Sequence, residues 1–373
     1  MLTSSQTIPL SDAAVPAAAD RGYRLDIVEN VGPHWDTIVA TFADACVEQS
    51  AAYMGPRWGF SRLCGLLLRE GATNEPLAAM LAVTAVVPLI RLGLAYVKFG
   101  PLWRRRGRPA APGILLSSLN AMRQVLAVER GLVVRVMPPP DPDFAAEWQA
   151  SLAAAGFHPH APTPDPERYL VDLTLSDAEQ LASLGASWRA NLGKARGLDI
   201  REVEVNRSLP EFLALYHAMQ ARKGFVDRHN IEILPALAAA APAGLGVRLF
   251  LAFADGAPVA GSLIVGAGER VFVLASASND RGLALRAGYA LRWAIIGRLR
   301  GTQARWLDLG GDEADPGLRS FKRGNVGKRG RVVPLMGEFD HASTALSGAV
   351  AAAMTFTHGL MHGALAQRLS GRR

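Results

Sequence analysis

Two short groups in the last third of the chain place reactive residue types close together. Trp306-Leu307-Asp308-Leu309-Gly310-Gly311 is followed ten residues on by Phe321-Lys322-Arg323-Gly324. The apolar run from Arg305 to Leu309 predicts a buried strand. It breaks into paired glycines and an acidic loop, Asp312-Glu313-Ala314-Asp315-Pro316, and a basic segment from Arg319 to Lys328 comes next. Glycine at the end of a buried strand lets backbone approach a ligand closely, because no Cβ intervenes. An acid, a glycine pair and a lysine at one strand end are a common way to build a site in an α/β layer. The same residue types also make an ordinary turn followed by a solvated basic loop. A second, cationic group lies on the predicted helix Ala186 to Arg196. There Trp188, Leu192 and Ala195 recur at i, i+4 and i+7 and would form the buried face. Arg189, Lys194 and Arg196 would point outward, able to fork onto diphosphate or carboxylate oxygens or simply to be solvated.

Other titratable residues carry less. His358 and His362 stand at i, i+4, and His217 and His229 lie further back, but no third ligand or nearby acid accompanies them. They read as helix-surface residues, and no metal is expected. Two cysteines, Cys46 and Cys64, are too few for a disulfide framework or a Cys-based metal site and are expected as small core residues.

At 373 residues the chain is long for one domain and fits two. Half the residues are hydrophobic and a fifth are charged, which excludes a disordered chain. The balance of +7 and the sequence pI of 9.8 favour polyanionic partners such as tRNA, a nucleotide-linked sugar or an anionic membrane face. The best apolar run, Pro76 to Gly93, is broken by Pro88 and Arg91 and is strand-like, so no transmembrane helix is expected. Residues 1–20 lack the pattern of a signal peptide and read as a loose tail, so the expected compartment is the cytoplasm.

The elements that must position the candidate residues come in two similar series. Tyr23 to Val28 reads as a strand and His34 to Gln49 as a helix. Ser61 to Arg69, Leu77 to Val87 and Gly93 to Phe99 read as an antiparallel run. Pro112 to Arg130 is an amphipathic helix, Leu132 to Met137 a buried strand, Asp143 to Ala155 a helix and Tyr169 to Leu173 a strand. After the helix at 186–196 come a strand, Asp199 to Val205, and helices Leu209 to Lys223 and Ile231 to Ala241. A meander follows from Val247 to Ala277, then a long helix, Leu283 to Leu299, the strand at 305–309, and Arg331 to Met336. The order strand, polar turn, long strand, strand, long helix, buried strand, helix thus occurs from 62 to 155 and again from 247 to about 325. Repetition at this scale argues for two duplicated α+β domains, each a mainly antiparallel sheet flanked by helices. The expected divisions are 1–20 tail, 21–175 first domain, 176–341 second domain, and 342–373 an Ala-rich C-terminal helix that could pack on a neighbouring subunit.

Four pieces of sequence, in this order, resemble the Fem-type (FemAB) transferases, which attach amino acids to peptidoglycan precursors and are built from GNAT-like domains. They are Tyr96-Val97-Lys98-Phe99-Gly100-Pro101, Arg189-Ala190-Asn191-Leu192-Gly193-Lys194-Ala195, Asp255-Gly256-Ala257-Pro258-Val259-Ala260, and Asp308-Leu309-Gly310-Gly311 with Phe321-Lys322. The resemblance implies two tandem GNAT-like domains and transfer of an acyl or aminoacyl group to an amine of a cell-envelope acceptor. It assigns Lys322 the role of stabilising the oxyanion of the reacting carbonyl. Asp308 would orient Lys322 or the incoming amine, act as a general base, or cap the turn. Arg189, Lys194, Lys98 and Tyr96 would contact a nucleotide- or lipid-linked acceptor, with Gly310, Gly311 and Phe321 shaping the site. The donor would be aminoacyl-tRNA or acyl-CoA, with no tightly bound cofactor. Departures are visible too. GNAT acetyltransferases cradle the CoA pyrophosphate ahead of a helix, whereas Asn279 to Tyr289 offers Arg281, Arg286 and Gly288 without that spacing. Asn325 stands where Fem-type chains commonly carry a second aromatic, and their coiled-coil arm has no counterpart. Rival readings are an acyl-CoA-dependent acyltransferase of exopolysaccharide synthesis and a non-catalytic RNA- or membrane-binding scaffold. Peripheral contact with the inner membrane face fits all three.

Overall fold

Strand runs in which both faces are apolar, separated by short polar turns, dictate sheets buried on two sides, and the computed structural model contains two of them. It describes residues 23–71, 73–162, 166–224, 231–240, 246–311 and 315–355. The first series runs β1 (Tyr23–Val28), α1 (Pro33–Val39), α2 (Ala51–Trp58), β2 (Leu63–Glu70), β3 (Pro76–Val87), β4 (Leu92–Lys98), α3 (Pro112–Met122), β5 (Leu132–Met137), α4 (Ala145–Ala154) and β6 (His158–Ala161). The chain continues through β7 (Glu167–Asp172), α5 (Asp177–Ser183) and α6 (Ala186–Lys194) to the second series. That series is β8 (Asp199–Val203), α7 (Val205–Lys223), α8 (Leu234–Ala240), β9 (Gly246–Ala254), β10 (Ala257–Gly266), β11 (Arg270–Ser278), α9 (Asp280–Ala284), α10 (Ala287–Leu299), β12 (Trp306–Asp308) and α11 (Pro316–Val326). Two short strands, β13 (Arg331–Pro334) and β14 (Glu338–His341), close the fold.

The sheets have the orders β1-β2-β3-β4-β5-β14-β6 and β13-β7-β12-β11-β10-β9-β8. Each is an antiparallel meander with one parallel pair, β4 with β5 and β11 with β12, bridged by a helical crossover. The duplicated α+β architecture read from the sequence is the one observed. The chain division is less simple, because the halves trade strands. β7, expected to end the first domain, pairs with β12 and β13 in the second sheet. β14, expected within the second domain, pairs with β5 and β6 in the first. The break between sheets therefore does not fall at residue 175.

Alternation along the strands explains the core. Leu66 and Leu68 face a cluster with Met80, Val97, Leu119 and Trp148, whereas Leu63 and Leu67 face the opposite way. In β9, Phe250 and Ala252 pack with Tyr169, Ile264 and Ile295, and Leu249 and Leu251 face the other side. The outward sets of both halves merge into one cluster that joins Trp35, Phe42, Met54 and Phe99 to Phe212, Leu237, Leu263 and Leu274. Each large side chain so buried contributes about 1.5–3 kcal/mol. The two halves thus share a core. Both cysteines are buried in the shell of these clusters and unpaired, with the Cys46 thiol 3.5 Å from the Phe99 carbonyl.

Local differences have local causes. The helix expected from His34 to Gln49 stops at Val39, and Phe42, Ala45 and Val47 enter the core from an irregular segment that ends in a single 3-10 turn. The long helix before β12 is broken at Arg286, which sits in the left-handed region at φ 57°. The basic segment after Pro316 is a helix rather than a loop. Asp315 caps it by accepting from the N–H groups of Gly317 and Leu318, and Pro316 stands in its first turn. A helix also covers residues 345–355; the rest of the expected C-terminal helix and the N-terminal tail lie outside the described residues. Among the described residues no helix is long and apolar enough to cross a membrane.

Candidate functional site

The parallel pair β11 and β12 is matched over only three residues, Arg270 to Phe272 against Trp306 to Asp308. β12 ends there while β11 runs on to Ser278. The missing length of β12 leaves a cleft of about 500 Å³, walled by β11 from Val273 to Ser276 on one side and by Leu309, Phe321 and Lys322 on the other. Tyr216, Met219 and Lys223 of α7, Arg292 of α10, and Asp315 and Leu318 also line it.

What ends β12 is the turn at Gly310. Its φ is 78°, and its N–H donates to Asp308 Oδ1 at 2.8 Å. A Cβ at Gly310 would lie 3.5 Å from Phe272 Cε2, 3.7 Å from Arg168 Nη1 and 3.8 Å from Lys322 Nζ. An aromatic edge, a guanidinium and an ammonium thus converge on a space that only glycine leaves open. Lys322 is 8% exposed, and α11 delivers it from the side so that its ammonium donates to the Gly311 carbonyl. The Asp308 carboxylate is 1% exposed and lies 3.5 Å from Arg168 Nε and 3.9 Å from Arg270 Nε. Arg168 is further fixed between the rings of Phe99 and Phe272, at 5.6 and 5.1 Å. Such a site presents positive charge, held by packing, toward whatever oxygen enters beside Gly310.

Phe321 and Lys322 line the cleft, Gly310 and Gly311 adjoin the Lys322 ammonium, and Asp308 is buried beneath the turn at Gly310. Phe321 packs edge-on to Tyr289 at 5.0 Å and against Trp188 at 5.9 Å. Gly324 lets α6 close on α11, since a Cβ there would stand 3.0 Å from Trp188 Cδ1. Arg189 and Lys194 therefore ride on a helix packed against the one that carries Lys322. Both are exposed, and Arg189 donates to the Leu184 carbonyl. Lys98, at the end of β4, lies 5.2 Å from the Phe99 ring centroid; burial pulls its pKa down, and Arg168 and Arg57 add to that. Tyr96 belongs to a separate apolar cleft of about 360 Å³ in the first half, with Arg135 and Glu338, and burial pushes its phenol up. Arg281 pairs with Asp255, Arg286 is exposed at the start of α10, and a Cβ on Gly288 would meet nothing within 4 Å; none of the three lines the large cleft. Asn325 is fully buried with both amide atoms lacking partners. Among the described residues no group of three or more ligands could hold a metal. His229, His358, His362 and residues 312–314 of the acidic loop lie outside the described residues.

Three cationic residues of this region escaped the sequence reading. Arg168 and Arg270 sit at strand positions, and Arg292 lies between Leu291 and Ile295 on a buried helix. The one signal available was a lone arginine inside an apolar stretch.

Residues 186–323 match the family model for the acetyltransferase (GNAT) domain. The second half of the chain therefore carries a segment that matches the GNAT acetyltransferase domain, and the duplicated sheets repeat its α+β layout in the first half. The tandem fold is similar to that in the crystal structure of FemX, with a TM-score of 0.69 at 16% identity, covering 85% of this chain and 97% of that one. A conserved protein of unknown function from Bacteroides thetaiotaomicron VPI-5482 has a TM-score of 0.52 at 10% identity, covering 91% and 99%. A search of the curated proteins finds no match.

Proposed function

We propose that this protein transfers an acyl or aminoacyl group to an amine of an anionic cell-envelope acceptor, with Lys322 as the group that stabilises the reacting oxygen. The observation that carries this reading is the buried ammonium of Lys322 beside the open side of Gly310, at the head of the cleft. The acceptor amine attacks the carbonyl carbon of a thioester or ester, and the electron pair moves to the carbonyl oxygen. The oxyanion then collapses, expelling the thiolate or the ribose alkoxide, which takes up the proton lost by the amine. Lys322 and Arg168 lower the energy of the charged intermediate more than that of the neutral carbonyl. Arg189 and Lys194, with Lys98 and Tyr96 in the first half, are proposed as acceptor contacts, and Arg281, Arg286 and Gly288 as contacts for the donor's phosphates. Apolar walls suit the arm of an acyl-CoA, and the matched GNAT domain favours that donor over aminoacyl-tRNA.

A donor panel tests the proposal. Acetyl-CoA, a longer acyl-CoA and charged tRNA are each added to the protein, and unfolding temperature and transfer are followed. Lys322→Ala is expected to keep donor protection and to lose about 10²–10³-fold in turnover, the worth of one oxyanion donor. Wild-type turnover in that variant would overturn the assignment. Protection by charged tRNA alone would select the aminoacyl reading, and absence of protection by every donor would leave a non-catalytic scaffold.

A further inference from the structure

Arg292 is the one charged group on the buried face of α10, between Leu291 and Ile295. It is 7% exposed and forms part of the cleft wall. Nη2 donates to Ser276 Oγ at 3.3 Å, while Nε and Nη1 have no hydrogen-bond partner. Ser276 in turn shares a 2.6 Å hydrogen bond with the buried Ser262. Among the described residues no carboxylate pairs with the guanidinium. Burial pulls its pKa down to about 10, which leaves it a cation at neutral pH. A buried charge without a counter-ion destabilises a fold, and replacement by an apolar side chain of similar size often improves stability. Every other ionised group at this end of the cleft has a partner: Asp308 has its arginines, Lys223 lies 3.5 Å from Asp315, and Lys322 is bonded to Gly311. Arg292 lines the cleft of about 500 Å³, which has room for far more than a water molecule, and its Nε and Nη1 lie just beneath that wall.

We infer that Arg292, with Ser276, is the subsite for an oxyanion carried by the ligand that fills the cleft, either a phosphate of the donor or a carboxylate at the end of the transferred group. The inference rests on the reading of this cleft as the ligand site, and its test reads binding rather than turnover. The full chain and its Arg292→Met variant are melted with inorganic phosphate, pyrophosphate and succinate, each titrated against sodium chloride of equal ionic strength. Without added anion the variant is expected to melt no lower than the wild type. The anion is expected to protect the wild type, with affinity at least tenfold weaker in the variant, about the worth of one charge-assisted hydrogen bond. Protection by phosphate or pyrophosphate identifies the donor's phosphate, and protection by succinate the carboxylate. Equal protection of both proteins, or none of either, overturns the subsite. A lower melting temperature in the variant with anion binding intact also overturns it, since Arg292 would then be structural. Should Arg292→Met fail to fold, Arg292→Lys keeps the charge and loses the planar donor set, and unchanged affinity there overturns the proposal. Anion protection in a protein that transfers nothing would preserve this subsite and remove the transferase.

Discussion

Replacing Gly310 by alanine separates a backbone cost from a chemical one. At φ 78° an L-residue carries a penalty of about 1–2 kcal/mol. The new methyl would meet Phe272, Arg168 and Lys322 at 3.5, 3.7 and 3.8 Å, which is ordinary contact and adds no clash. The stability loss should therefore be the backbone penalty alone, a drop of a few degrees in melting temperature. Transfer should suffer far more. The methyl occupies the space between the guanidinium and the ammonium that the carbonyl oxygen must enter, so turnover should fall by about 10²–10³, as on loss of an oxyanion donor. Gly301→Ala supplies the control. Its φ is 75°, and a Cβ there meets nothing within 4 Å. Calorimetry should show similar losses for the two variants, and initial rates should fall only for Gly310→Ala. Equal rates in both would refute the placement of the reacting oxygen beside Gly310. A stability loss at Gly310 much larger than at Gly301 would refute the reading of its contacts as free of clash.

Two further outcomes follow from titratable groups. Burial raises the Asp44 carboxyl from 3.8 to about 6, although Arg104 and the N–H groups of Trp103 and Arg104 oppose it. The folded chain thus holds that proton more tightly than the unfolded one, and the associated stability is complete below 3.8 and lost as pH rises through 6. Asp44→Asn should therefore gain on the wild type between pH 4 and pH 7, by up to about 3 kcal/mol in urea melts, and a constant difference would refute it. Asp315 has the opposite sign: the N–H of Leu318 leads the groups that hold its carboxyl below the usual range. Asp315→Ala should cost about 1 kcal/mol at neutral pH, and the cost should fade as acid protonates the wild-type cap; a cost equal at pH 3 and pH 7 would argue against the cap.

The duplicated meanders were legible in the sequence because hairpin turns and apolar strands are local signals. Leu132 to Met137 was placed to the residue, being a valine-rich run, interrupted by Arg135 alone, between a glycine and prolines. β14 was invisible: Glu338-Phe339-Asp340-His341 is mostly polar and half-buried, and it is a strand because β5 and β6 flank it. The sheet to which β7 belongs is likewise a tertiary fact. α11 was read as a loop because Gly317, Gly324 and Gly327 mask its apolar stripe, though Asp315-Pro316 is a readable helix start. In the site, Asp308, Gly310 and Lys322 could be grouped because they are near in sequence. Arg168, contributed by a strand more than a hundred residues earlier, could not.

The traded strands bear on how the molecule comes to exist. During synthesis the first sheet can assemble β1 to β5 early, but the position beside β5 stays open until residues 338–341 have been made. The second sheet, by contrast, takes β7 from chain already in place before β8 appears. Until β14 is made, the unpaired edge of β5 is a template for pairing with other chains. β14 thus acts as a late latch: a strand made after all the other described strands fills the place beside β5, and a chain cut short before residue 338 keeps an open edge there.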